Sequence, residues 1–596
     1  MPGTLPHCGA FEALMKRPPR TREIAAALAL RGRREMSDLL NAAPPYRILT
    51  QSQRAPEALA VRPKALIKGD KARGAALLGG RFALAGEMLE VSEEESVWDR
   101  TAPSKRFAES LHRFDWLADL LAVEDPEAPT MARALVDDWL ARFGKWNWFS
   151  WEPHVLEGRL WAWMLASETV FASEDPETPK RLKSAVRQGL RLARCLSLMP
   201  QDKTRLCAAI TLRLAALTLD LPAKLQTQAQ SALDRELTSQ ILPDGGHASR
   251  NPRVAADVLI ALVILDRAAD ARGLSLSSEV SRAMDRTAAF IRFCRMPGGG
   301  LTVFHGGDEG DSRAIETALK HVGGGQGRGF NVAPHSGFNR VEAGGAVLIM
   351  DSAGPPSGPH SADVHASALA FEFAAPGGRL VVNCGWSADQ PRTWREAVRA
   401  TAAHSVLTLE ETSSTRLVAQ GWARALLGPR VAAGPEPVKA RRNEEDLGVW
   451  LEASHEGYRR EFGLSLRRRL FLASDGGDLR GEDSLYRPVE DGAPDNPELR
   501  YRFSIRFHLH PSVRASLSRD SLSALLVAGN GDGWRFRTDG GPVRLERSVY
   551  LAAGGKPERS TQLVVSGEAE PYGGGERPPN RVRWAFQRLG RVGAAG

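Results

Sequence analysis

The sequence predicts a multidomain α+β chain, with a helical half followed by a large antiparallel β-sheet or sandwich. Three observations carry this. From about residue 101 to 297, apolar residues recur at three- and four-residue steps in one segment after another. After Gly298-Gly-Gly300 the apolar period falls to two, and Gly/Asp/Asn turns separate strand-like runs. At 596 residues the chain also exceeds what one hydrophobic core organises, so two or three domains are expected.

Residues 1–100 form a mixed segment punctuated by Ala43-Pro-Pro-Tyr46 and Leu78-Gly-Gly80, with short alternating pieces such as Arg81-Phe-Ala-Leu-Ala85. The helical domain, 101–297, opens on Phe107, Leu111, Phe114, Leu117 and Leu121, followed by Ala132, Leu135, Trp139 and Phe143. Further helices are expected over 157–173, 179–199, 203–220, 224–241, 253–273 and 277–295, with Pro179, Pro200, Pro222, Pro252 and Pro297 at the junctions. Short connections imply antiparallel neighbours, and the spacing suits a bundle and a ring of helical hairpins equally. Residues 298–335 read as a Gly-rich linker. In 336–590, Arg340–Met350, Arg379–Asn383, Arg467–Leu472 and Tyr501–His510 read as strands, and the tail from Pro578 as frayed.

Lys and Arg exceed Asp and Glu by 79 to 71, a surplus of 8 that suits an anionic ligand without requiring one. With no zinc-finger spacing, ribonucleoprotein motif or dense basic tract, no nucleic-acid partner is expected. The five cysteines (Cys8, Cys195, Cys207, Cys294, Cys384) are scattered and form no Cys-x-x-Cys pair, which favours free thiols in a reducing compartment. Lys16, Arg17, Arg20 and Arg22 precede a short apolar run, Ile24–Leu30, but no small-residue cleavage site follows. No segment reaches membrane-span length. The expectation is a cytoplasmic protein without a membrane partner, with the periplasm as the alternative.

Three clusters carry polar chemistry. Leu242-Pro-Asp-Gly-Gly-His247-Ala-Ser-Arg250-Asn251-Pro252 is a turn between helices that projects His247, Arg250 and Asn251; a plain capped turn has the same composition. Asp363, His365, Asn383 and His404 are isolated polar positions among packing residues; imidazole and amide oxygen are competent metal ligands, and hydrogen-bonded core histidines are the plainer reading. Lys145-Trp-Asn-Trp148-Phe-Ser-Trp151 and Arg159-Leu-Trp-Ala-Trp163 offer faces that stack on sugars, or that pack a core.

Taken in order, four segments resemble the heparinase II/III-like polysaccharide lyases. Asp244-Gly-Gly-His247-x-x-Arg250-Asn251-Pro252 is similar to that family's Asp-Gly-x-His/Gln…Ser-Pro turn, and Val364–Phe373 to its His-Ala-Asp-x-Leu-Ser-Phe-Glu segment. Arg379-Leu-Val-Val-Asn383-Cys-Gly resembles its strand ending in Val-Asp-x-Gly, and Arg399-Ala-Thr-Ala-Ala-His404-Ser-Val its Ser-Thr-x-Ala-His-Asn-Thr-Val. The resemblance spans roughly residues 100 to 480. It implies an incomplete α/α toroid followed by stacked antiparallel sheets. The implied activity is β-elimination on a uronate-containing acidic polysaccharide or oligosaccharide, in which the C5 proton leaves only once the neighbouring carboxylate is neutralised.

On that resemblance His247, Arg250 and Asn251 bind the uronate carboxylate, with His247 doubling as base. Trp148, Trp151, Arg159 and Asp363 are the candidate substrate contacts. His365, Asn383 and His404 fall where the family places one divalent metal, zinc foremost. The chain departs from the family at Val254 and Ala255, where a catalytic Tyr-His is common, at Asp363, where a second His is common, and at Asn383, which replaces a metal-binding Asp. Tyr458 is the candidate substitute for the missing Tyr. The expected function is therefore a lyase. The alternatives are a silent carbohydrate-binding member of the fold and a glycoside hydrolase on a helical toroid, for which no opposed carboxylate pair stands out. The sequence leaves oligomeric state open, a homodimer included.

Overall fold

A computed structural model describes residues 21–43, 55–92, 94–323, 329–488, 498–552, 557–571 and 580–591. Cys8, the basic residues 16–20 and most of the 43–46 Pro-Pro turn lie outside them.

Helices Lys105–Arg113, Pro153–Leu165, Lys203–Thr218 and Pro252–Asp270 pack side by side as an inner layer, each returning through an outer helix: Glu127–Phe143, Thr178–Cys195, Ala223–Gln240 and Ser278–Cys294. This is an incomplete α/α toroid of hairpins, which settles the choice between bundle and ring. Local chemistry sets the helix starts. The side chains of Asp202 and Asn251 accept the first free N–H groups of their helices, and Pro252 occupies a first-turn position whose N–H has no helical partner. Inner helices are apolar nearly all round because both faces are covered: Leu206, Ile210, Leu214 and Leu217 are buried, as are Val258, Leu262 and Leu265.

The β half consists of two stacked antiparallel sheets. A nine-stranded sheet carries, as consecutive neighbours, Tyr501–Leu509, Gly378–Val382, Phe371–Ala375, Ala346–Asp351 and Phe338–Ala343. The facing eight-stranded sheet runs from Val438–Glu445 at one edge to Arg514–Leu517 at the other. Phe371, Phe507, Trp584 and Phe586 meet in the core between them.

Three expectations need correction. Residues 298–335 are more than a linker: Asp311 caps a helix, Ser312–Val322, which packs on Pro252–Asp270 and extends the inner layer. The Arg340–Met350 run is two strands of a hairpin, because Gly344 and Gly345 both take positive φ (53° and 77°) at the turn. The tail is not frayed where it is described. Arg581–Arg591 is an interior strand of the eight-stranded sheet, pinned by the alternating buried residues Val582, Trp584 and Phe586.

Candidate functional site: the cleft between toroid and sheets

The N-terminal ends of the inner helices face the nine-stranded sheet across a cleft of about 220 Å3. Asp202, Lys203 and Thr204 line it from one helix start, and Ser249, Asn251 and Val254 from the next. His305 comes from the segment after the toroid, and His360 and Asp363 from the loop between strands Ala346–Asp351 and Phe371–Ala375.

The turn predicted to hold the catalytic groups instead holds the domains together. Arg250 has φ of 58°, a left-handed conformation uncommon for a non-glycine residue. That bend sends its guanidinium into the sheet domain, where it donates to the carbonyls of Ser336 (2.7 Å), Gly337 (3.1 Å), Ala353 (3.2 Å) and Gly354 (2.6 Å) and ion-pairs with the buried carboxylate of Asp351. A guanidinium so engaged is not available to a uronate. Asp244 reinforces the junction by accepting the His335 and Ser336 backbone N–H groups.

His247 is buried as well. One ring nitrogen lies 2.9 Å from Gln240 Oε1 and the other 2.8 Å from Ser249 Oγ, and burial drives its pKa down to about 3. It is a neutral, hydrogen-bonded core histidine that does not line the cleft. Asn251 does line it, but its side-chain oxygen caps the helix while Nδ2 donates to His305 O at 3.0 Å.

Other predicted contacts move out of the site altogether. Arg159 is fully buried in the toroid, stacked over Trp139 at 4.1 Å and donating to Gln188 Oε1 and His112 O. Trp151 is a packing residue whose indole N–H donates to Phe143 O. Trp148 is exposed and paired edge-on with Trp146, away from the cleft lining. Tyr458 is buried in the sheet domain, where its hydroxyl donates to Leu407 O at 3.1 Å; burial raises its pKa far from a useful base. Periodicity could not separate these from site residues, since Trp and Arg on apolar helix faces read alike in either role.

Of the predicted metal set, the two imidazoles come together. His365 Nδ1 and His404 Nε2 lie 3.3 Å apart. Nδ1 of His404 donates to Ala400 O, and burial lowers the pKa of His404 to about 4. Asn383, however, is engaged in packing: its oxygen accepts the Ser405 N–H and its amide donates to Val303 O. Among the described residues no group of three or more His, Cys, Asp or Glu side chains is placed to hold a metal ion. The residues present do not fit the zinc site that the resemblance implied.

Asp363 is the predicted contact that does face the cleft, and it is not alone. Lys203 pairs with it, and each partner fixes the charge of the other: the carboxylate raises the lysine pKa, and the lysine lowers that of the carboxylate. Sequence reasoning missed Lys203, His305, His360 and Asp351. His305 sits in a left-handed turn (φ 51°), with Nε2 3.1 Å from Asp351 Oδ2. Burial would raise the pKa of Asp351, but Arg250 and His305 outweigh it and hold the carboxyl at about 2. Burial lowers that of His305 despite the nearby carboxylate. The one usable signal was the His305-Gly-Gly307 turn, since Gly306 takes φ of 83° and a Cβ at Gly306 would fall 2.7 Å from Asp363 O.

Comparison with known proteins agrees with this architecture. Residues 325–585 match the profile "Heparinase II/III-like, C-terminal". The FtsZ-localized protein C of Caulobacter vibrioides is 36% identical over 537 residues, 89% of this chain and 91% of that protein. The chain belongs to the heparinase II/III-like family. Among solved structures, heparinase III superposes with a TM-score of 0.64 at 15% identity, over 88% of this chain and 86% of that one. A mutant of the heparan sulfate lyase HepC from Pedobacter heparinus gives a TM-score of 0.56 at 15% identity, over 96% and 91%. At such identities these likenesses establish the polysaccharide lyase fold.

Proposed function

We propose that this chain is a carbohydrate-binding member of the polysaccharide lyase fold that works beside FtsZ and does not perform β-elimination. One observation carries the reading: the cations that would neutralise a uronate are already engaged. Arg250 is buried against Asp351, and Lys203 is paired with Asp363. Asp202 adds a second carboxyl group to the cleft wall, so the lining holds more acidic than basic side chains. An anionic sugar entering there meets like charge, whereas hydroxyl groups find carboxylate and imidazole partners. The near-full-length similarity to FtsZ-localized protein C supports the cellular setting. On this reading the chain is cytoplasmic.

Three experiments test it. The purified protein should co-pellet with polymerised FtsZ, and a fluorescent fusion should follow FtsZ in the cell; failure of both removes the setting. Incubation with heparan sulfate and other acidic glycans should produce no ultraviolet-absorbing unsaturated uronate.

A second reading, retained lyase activity, is favoured by the Asp351–His305 contact. His305 lies on the cleft wall with Nε2 3.1 Å from the Asp351 carboxylate, and its ring nitrogens, buried in this structure, would act as a base once substrate opens the cleft. Under that reading the same incubation generates the chromophore, and His305→Ala abolishes it.

A further inference from the structure

A second and larger cavity, about 830 Å3, lies within the toroid. The same two helices build both spaces. Lys203 and Thr204 line the cleft and Ile210 and Thr211 the cavity, one to two turns along; Asn251 and Val254 line the cleft, and Ile260, Ala261 and Ile264 the cavity. Its walls are aliphatic and aromatic: Leu66, Leu121, Trp161, Leu165, Ile210 and Ile264. Room is left by small residues facing one another, Ala118 and Ala122 on one helical segment, Ala162 and Ala166 at the next, and Ala261 opposite. The polar side is ion-paired throughout: Arg113 with Asp115 and with Glu157, whose other oxygen accepts from Thr211, and Asp257 with Arg253.

The pocket opens to solvent on one side, and its hydrocarbon walls face water unless something covers them. Sugars do not suit these walls, because they offer almost no unengaged hydrogen-bonding partner. A flexible hydrocarbon chain does. The mouth adds a charge preference. Lys68 is exposed there with no carboxylate partner among the described residues, beside Lys71, which pairs with Glu124. We infer that the toroid binds a single aliphatic chain bearing an anionic headgroup, with the chain along the Leu66–Trp161–Ile264 walls and the head at Lys68. This site is independent of the cleft and of the glycan reading.

The test uses the full-length protein and displacement of a fluorescent polyene fatty acid by dodecanoate, tetradecanoate, hexadecanoate and hexadecanol. The expected result is saturable one-site displacement that tightens about tenfold for each two carbons added. Ala261→Trp, which fills the cavity, should abolish displacement while thermal unfolding stays cooperative; Ala162→Trp serves where that variant does not fold. Lys68→Glu should weaken the acids and leave hexadecanol unchanged. Phosphatidylglycerol vesicles form a separate arm: extraction of one intact lipid per protein, one of its two chains in the cavity, lost in Ala261→Trp, makes a phospholipid the source, and displacement by free acids alone makes it a fatty acid. Absence of saturable displacement in the wild type overturns the site. So does displacement that survives both tryptophan variants, or vesicle binding that Ala261→Trp leaves unchanged without any displacement by the acids.

Discussion

Replacing Arg250 with Met should loosen the attachment of the toroid to the sheets. The guanidinium donates to four sheet-domain carbonyls and pairs with a carboxylate that is fully buried. Methionine keeps much of the volume and removes every donor. Stranding one member of a buried ion pair costs about 3–5 kcal/mol. Each carbonyl left unsatisfied adds about 1–3 kcal/mol, although water admitted at the junction recovers part of that. The expected loss is therefore on the order of 5 kcal/mol, a large fraction of a domain's stability. Urea unfolding, followed by far-ultraviolet circular dichroism and by tryptophan fluorescence, would read it; separate transitions from the two probes would show the halves uncoupling. Asp351→Asn supplies the internal control, since neutralising the stranded partner should recover about 2–3 kcal/mol in the double variant. The reasoning is refuted if Arg250→Met lies within about 0.5 kcal/mol of wild type, or if the two substitutions are simply additive.

Other expectations follow from the same geometry. His247, His404, His455 and His508 are buried neutral, with pKa values of about 3, 4, 4 and 3, so the unfolded chain binds protons that the folded chain refuses as pH falls. Their contribution is intact above about pH 6.5 and is lost toward the folded values, at up to ~1.4 kcal/mol per pH unit for each group. The urea midpoint should therefore drop clearly between pH 7 and pH 5, and an unchanged or higher midpoint would count against neutral burial. Tyr458→Phe should cost about 1 kcal/mol in unfolding experiments and leave glycan binding untouched, because its hydroxyl serves the backbone carbonyls of Leu407 and Thr412 inside the sheet domain. Elemental analysis of the purified protein should find well under one equivalent of zinc, and a chelator should not move the melting temperature; a full equivalent would mean that Asn383 reorients to ligate.

How legible the molecule was depends on the range of the interactions involved. Helix starts at Asp202, Asn251 and Pro252 and the alternation of the 501–509 strand are local, and the sequence pattern locates them. So is the Val582–Trp584–Phe586 alternation, although composition at the chain end obscured it. Four ordered motifs located the fold correctly and misled about roles, because a motif reports where a turn sits and not where its side chains point. Arg250 was read as a substrate cation, but its left-handed backbone turns it inward. Asp351, its partner, closes a strand 101 residues away and carries no local mark. Lys203 was hidden in the same way: its charge matters only because Asp363, 160 residues on, lies opposite. Arg159 shows the converse, a charge that looks functional in sequence and stacks inside the core over Trp139.

The central claim is that, among the described residues, Lys203 is the one Lys or Arg side chain lining the cleft and is already paired with Asp363 rather than free to acidify a uronate C5 proton. The most direct test is ultraviolet absorbance of the purified protein incubated with heparan sulfate, chondroitin and other uronate-containing glycans, read beside an active lyase of the same fold. The account predicts no growth of the unsaturated-uronate signal at any of them. Growth of that signal, abolished by Lys203→Ala or His305→Ala, would contradict it.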